Sequence, residues 1–347
     1  MTPPVLALEL NDLGIVAARD DRSGLLSLDG SEAGSPGFAL ERGGAVVCGR
    51  EAEAAWRLDP PRVRHAYWDR LGTEPFPQVF GGCANHAELA FAHLKLVLGQ
   101  VNRDRLPVLL VLPPYHTRAQ AGLLLSMLRE LGVPCRAFLP APLAAADTGG
   151  DRPVLLVDLF LHRATATLLA PGGARRISGV TAPDCGALEL LHAFSGVATR
   201  EFMRQARFDP LHHAVSEQRL HDQLRALLAG GAPEVVIEHA GRRMSVSLPA
   251  DLLAEAALPR FRELSAAVKE LLAEAATPAE IQLAPRAAAV PGLAAFLAAE
   301  TGLAPRVRPV AAATSGALAA LASGRIPAGD GVWVAGFAAA PSGGGAG

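Results

Sequence analysis

Residues 107–150, PVLLVLPPYHTRAQAGLLLSMLRELGVPCRAFLPAPLAAADTGG, decide how this chain is read. The apolar run over 108–112 is too short for a buried helix and stops at Pro113-Pro114-Tyr115, so it reads as a buried strand. A helix follows, its apolar face supplied by Leu123, Leu124, Leu125, Met127 and Leu128, until Gly132 ends it. Residues 135–139 read as a second short strand. Pro140-Ala141-Pro142-Leu143 then turns the chain into a small helix at Ala144-Ala145-Ala146.

Working outward, strand-like runs occur at 5–10, 14–18, 46–48, 154–158, 165–169, 235–239 and 244–248. Helical segments lie near 87–98, 117–131, 188–194, 216–228 and 252–275. Strands mixed with helices mean α/β. The blocks beginning near Pro4 and near Pro153 each open with a hairpin-like pair whose first strand ends in an acidic residue, an internal echo that suits a duplicated fold.

With 347 residues, half of them hydrophobic, the chain can bury the core of two lobes. Thirty-two basic residues face 34 acidic ones and no basic run stands out, which argues against nucleic acid as a partner. The start, MTPPVLALELND, has no basic region followed by an apolar one, and no apolar stretch is long enough for a membrane span. A cytoplasmic protein is expected. Cys48, Cys83, Cys135 and Cys185 are widely spaced and read as reduced thiols filling apolar positions.

Pro-Tyr after the first strand, Pro-x-Ala-Ala-Ala after the second and Val290-Pro291-Gly292-Leu293 later on together resemble the nucleotide-binding domain of the DnaK-like heat-shock chaperones, in the actin-like ATPase superfamily. The resemblance covers most of the chain. It implies an α/β, two-lobe actin-like ATPase fold of duplicated ribonuclease-H-like domains. Lobe one would be residues 1–150 and lobe two 151–329, divided at the Gly-rich turn Thr148-Gly149-Gly150-Asp151, with 330–347 as a flexible tail. A helix within 305–318 would return to the interlobe region. The separate peptide-binding domain of those chaperones has no counterpart before Gly347, so the peptide clamp is expected to be missing.

In that superfamily two hairpins and a Gly-Gly turn grip ATP, with glycines admitting the phosphates and acidic residues holding magnesium. The first hairpin's Asp-x-Gly-Thr matches Glu9-Leu10-Asn11-Asp12, so the glycine is gone and a second carboxylate sits where phosphate oxygens would lie. The second keeps Asp158 but puts Phe160, Leu161 and His162 where glycines belong. The glutamate that helps position magnesium and water matches Ala141, and the adenosine turn matches Pro285-Arg286-Ala287-Ala288-Ala289 without its glycines or arginine. His162, Arg163 and Arg286 could meet phosphates in a rearranged way. Alternatively Arg163 and Arg286 pair with Glu9, Asp12 or Asp158 and lock the lobes together.

Two further groups stand out. His213, Glu217 and His221 share a helix face at i, i+4, i+8, a conceivable metal site, although Asp209-Pro210 more simply marks a helix start. Tyr67, Trp68, Phe76 and Phe80 are the densest aromatics in a chain only 5% aromatic, and read either as a partner-binding surface or as a local core under a loop. The expectation for function is a chaperone-like pseudo-ATPase with no cofactor, serving as a binding or scaffold subunit for a protein partner, with self-association open. The alternative is a divergent ATP-binding protein or weak ATPase that uses magnesium, with Asp158 as the surviving metal-side carboxylate. Sugar-kinase chemistry would need a catalytic base that the sequence does not offer.

Overall fold

The computed structural model describes residues 4–173 and 176–337, and they form a mixed α/β structure. Strands β1 (Leu6–Glu9) and β2 (Val16–Arg19) pair as an antiparallel hairpin, and β3 (Val108–Leu112) and β4 (Cys135–Pro140) extend the sheet in parallel beside β1. Helix α1 (His86–Val101) precedes β3, and α2 (Arg118–Glu130) joins β3 to β4. The start of α2 is fixed by a capping box, in which Thr117 and Gln120 satisfy each other's backbone amides. A one-turn helix, α3 (Ala141–Ala145), then leads out of the sheet.

A second sheet repeats the plan. Strands β5 (Val154–Leu159), β6 (Ala164–Leu169) and β7 (Arg176–Ala182) form an antiparallel meander, and β8 (Glu280–Leu283) and β9 (Arg306–Val307) add in parallel on the other side of β5. Helices α4 (Ala187–Ala206), α5 (Ala214–Leu228) and α6 (Ala250–Ala273) lie between β7 and β8 in sequence; α7 (Leu293–Thr301) and α8 (Ala312–Ala322) follow β8. β3 and β5 are buried along their whole length, as suits strands covered on both faces. In both sheets the first strand is interior and carries its hairpin on one side and its parallel partners on the other; β5 is the middle strand of its five, while β1 is next to the edge strand β2.

A third core cluster joins the two sheets. Ala7, Leu109 and Val111 of the first and Leu156 and Leu169 of the second enclose α3 and α8, whose contact residues are mostly alanine. Small side chains allow close approach, and at Gly316 of α8 an added Cβ would stand 1.8 Å from the Ala144 carbonyl oxygen.

Two expectations are corrected. Tyr67 and Trp68 are fully buried and Phe80 nearly so, while Phe76 is half-buried against the same cluster. The Trp68 Nε1–H donates to His93 Nδ1 at 3.0 Å, so the ring is an internal anchor, and Tyr67, Trp68 and Phe80 belong to the core rather than to a partner surface. The other correction concerns residues 330–347: Val332–Trp333 forms a strand, β10, parallel to β4, and 338–347 lie outside the described residues.

Gly316→Ala is expected to lower stability by about 1–3 kcal/mol in urea unfolding, because overpacking at the α3–α8 contact outweighs a helix-propensity gain of about 1 kcal/mol. A stabilised variant would mean the helices part freely. Trp68→Ala is expected to cost about 3–5 kcal/mol in the same assay, the size for a large ring removed from a core; a change below about 1 kcal/mol would contradict its structural role.

Candidate functional site

The seven residues Glu9, Asn11, Asp12, Asp158, His162, Arg163 and Arg286 come together where the tip of the β1–β2 hairpin meets the tip of the β5–β6 hairpin. The tips are bonded directly. Asp12 Oδ1 accepts the Leu161 backbone N–H at 2.7 Å, and Asn11 Nδ2 donates to the Leu159 carbonyl at 3.1 Å. Asn11 is aimed by its own turn, its Oδ1 accepting the Leu13 N–H at 2.9 Å.

Phe160 and Leu161, at the tip of the β5–β6 hairpin, are both buried. Phe160 meets Tyr115 edge-on, with ring centroids 5.2 Å apart. The backbone behind the tip is equally close-packed: a Cβ at Gly186 would lie 2.3 Å from the His162 carbonyl carbon. The first amides of α4 are also occupied, Ala187 N–H donating to Phe160 O at 2.9 Å and Leu188 N–H to Leu161 O at 3.0 Å.

The charged side chains sort themselves by partner. Arg286 gives one guanidinium nitrogen to Glu9 Oε1 and another to the Gly14 carbonyl, both at 2.6 Å. Arg163 pairs not with Glu9, Asp12 or Asp158 but with Asp69, at 2.6 Å, and its guanidinium lies 4.5 Å from the centre of the Tyr115 ring. Sequence reasoning missed Asp69 as a partner; the carboxylate next to the buried Tyr67-Trp68 pair was the available signal. His162 Nε2–H donates to the His65 carbonyl at 2.9 Å and its ring stacks on that of His65.

Among the described residues Asp158 has no cation paired with it. Its Oδ1 accepts the adjacent Leu159 N–H at 2.8 Å, and burial pushes its carboxyl up to about 7, with Arg286 opposing the shift and Glu9 and Asp12 adding to it. Burial likewise raises Asp12 to about 6. Beside Asp158 a cavity of about 10 Å³, walled by Val157, Leu190, Phe261 and Leu264, holds the space of a single water.

The histidine-rich helix start does not form a metal centre. Glu217 goes to Arg57, His213 stacks on His239, and His221 is buried against Trp56 and 3.6 Å from Glu53. No cluster of three or more His, Cys, Asp or Glu among the described residues could hold a metal ion. Glu53 has a structural task instead: Arg225 Nε donates to it at 2.8 Å while Arg225 Nη2 bonds the Leu13 carbonyl at 2.7 Å, tying α5 to the first hairpin.

The pH dependence of Asp158 has a definite sign. Its carboxyl sits above its ordinary 3.8, so its contribution is fully present below that value and is lost as pH rises through about 7. Asp158→Asn removes the titration, so the variant is expected to gain on the wild type by up to about 1.4 kcal/mol per pH unit between those limits. Urea unfolding at matched pH values reads this, and a pH-independent difference would overturn it. The chain matches no protein-family model and no curated protein.

Proposed function

We propose that this chain has a two-lobe actin-like ATPase fold, two duplicated ribonuclease-H-like lobes dividing at about residue 150, and is a non-hydrolysing binding or scaffold subunit for a cytoplasmic protein partner. The observation that carries the reading is the direct bond between the hairpin tips, Asp12 Oδ1 to the Leu161 N–H at 2.7 Å. In the family the resemblance names, ATP phosphates lie between those tips. Buried Phe160 and Leu161 and the Arg286–Glu9 pair support the same conclusion, as does Ala141 at the position of the water-orienting glutamate. The like construction of the two sheets, with Glu9 and Asp158 at matching places in their first strands, supports the duplication.

One observation favours a second reading, a divergent ATP-binding protein or weak ATPase using magnesium. Asp158 is a buried carboxyl with a raised proton affinity at the metal-side position, and functional sites are where such shifts cluster. That reading requires the tips to part before nucleotide enters.

Thermal shift and phosphate release separate the two. Magnesium-ATP at 100 times its Kd would stabilise a binder by about 2.7 kcal/mol. The expected outcome is no rise in Tm with magnesium-ATP and no phosphate release above a buffer control. A magnesium-dependent rate abolished by Asp158→Asn would overturn the proposal.

A further inference from the structure

Two titratable side chains hold the β5–β6 tip in place, and their local geometry constrains their protons in opposite ways. His162 Nε2 lies 2.9 Å from the His65 carbonyl, which can only accept, so that nitrogen carries a hydrogen. The same nitrogen is 3.3 Å from His65 Nδ1, which therefore presents a lone pair. Protonating His65 there would set N–H against N–H while the two rings remain stacked, centroids 5.1 Å apart. Asp12 has the reverse problem. Its Oδ1 accepts the Leu161 N–H, but its Oδ2 is buried without a partner, so ionisation leaves charge on an unsolvated oxygen.

We propose that the Asp12–Leu161 and His65–His162 contacts form a proton-compensated latch: parting the tips lets His65 take up one proton while Asp12 gives one up, so where both titrate this pair gives acid no net hold on the junction. The buried Asp158 carboxyl adds a separate pH dependence, shared by the wild type and by variants of either member. The groups facing each side chain are consistent with this. His65 is surrounded by the cations or potential cations His162, Arg57, Arg64 and His221, and burial together with these holds it down to about 4. Asp12 faces His162, Arg163, Asp69 and the Leu161 amide, with Asp158, Arg286, Tyr67 and Tyr115 also near enough to act on it, and burial outweighs the favourable members of that set. In the parted state both would return toward ordinary values, about 6.5 for histidine and about 3.9 for aspartate. Between about pH 4 and 6 the proton gained and the proton lost cancel, and the opening equilibrium has no slope in pH from this pair. The inference concerns the shut junction itself and does not depend on whether nucleotide binds.

Removing either member uncovers the other. The experiment is amide exchange at Leu161 across that pH window, corrected for intrinsic exchange, in wild type, His65→Asn and Asp12→Asn; asparagine keeps an acceptor at each site without a titrating proton. Relative to wild type, opening is expected to fall about tenfold per unit of acidification in His65→Asn and to rise about tenfold per unit in Asp12→Asn. A pH-independent ratio for either variant overturns the latch. Ring-proton titration of His65 in the wild-type protein tests it without any variant: a midpoint below about 5 supports it, and one near the ordinary 6.5 overturns it.

Discussion

Glu9, Asp12 and Asp158 bring three carboxyls into one buried junction, and the way their charge is managed governs how the two sheets meet. Close carboxylates in a low-dielectric site cannot all stay ionised without partners. Glu9 has a guanidinium, Asp12 has a backbone amide across the joint, and Asp158 holds its proton more tightly than usual. Arg286 is the pivot, because its second nitrogen also holds the Gly14 carbonyl and so fixes the shape of the β1–β2 turn. Loss of one member of a buried pair typically costs about 3–5 kcal/mol. With Glu9 buried and Arg286 partly exposed, this junction belongs toward the lower end.

A second tie lies away from the first. Glu53, beside Arg225 and His221, is held down to about 2 despite its burial, so its contribution is present above the ordinary carboxylate range and is lost only in strong acid. Gln218 reinforces it by donating to the Glu53 carbonyl at 3.1 Å and accepting the Arg57 N–H at 2.7 Å. Leu13, Phe38, Leu40, Ala52 and Val63 pack into the core of the second sheet, so apolar burial spans the same junction. Ties at two separate places resist rotation of one sheet against the other.

The strands of both hairpins and the long helices were legible because periodicity and Gly/Pro punctuation act locally: residues 108–112 are a strand with the expected bounds, and the helix expected at 216–228 begins two residues earlier. The interior parallel strand β8 was not, since its four residues, Glu-Ile-Gln-Leu, alternate too briefly to register. Trp68 reads on the page as a loop aromatic because nothing nearby in sequence announces His93, the buried partner that draws it inside. The charged junction was half legible. Opposite charges at the two hairpin tips and at Arg286 indicated pairing, but the choice of Asp69 over Asp12 for Arg163 is set by tertiary placement that sequence spacing does not encode.

Several backbone and side-chain donors at the hairpin tips are already used within the chain. Anion-binding loops work by leaving backbone amides and a helix N-terminus free to face phosphate. Here the Leu161 amide is bonded to Asp12, the first amides of α4 to the carbonyls of Phe160 and Leu161, and Arg286 to Glu9 and Gly14. Each such bond contributes about 0.5–1.5 kcal/mol, more where a charge takes part. A phosphate entering would have to break several of them and displace two buried side chains. The donors at the tips face acceptors of the same chain, and that attraction holds the two hairpins together.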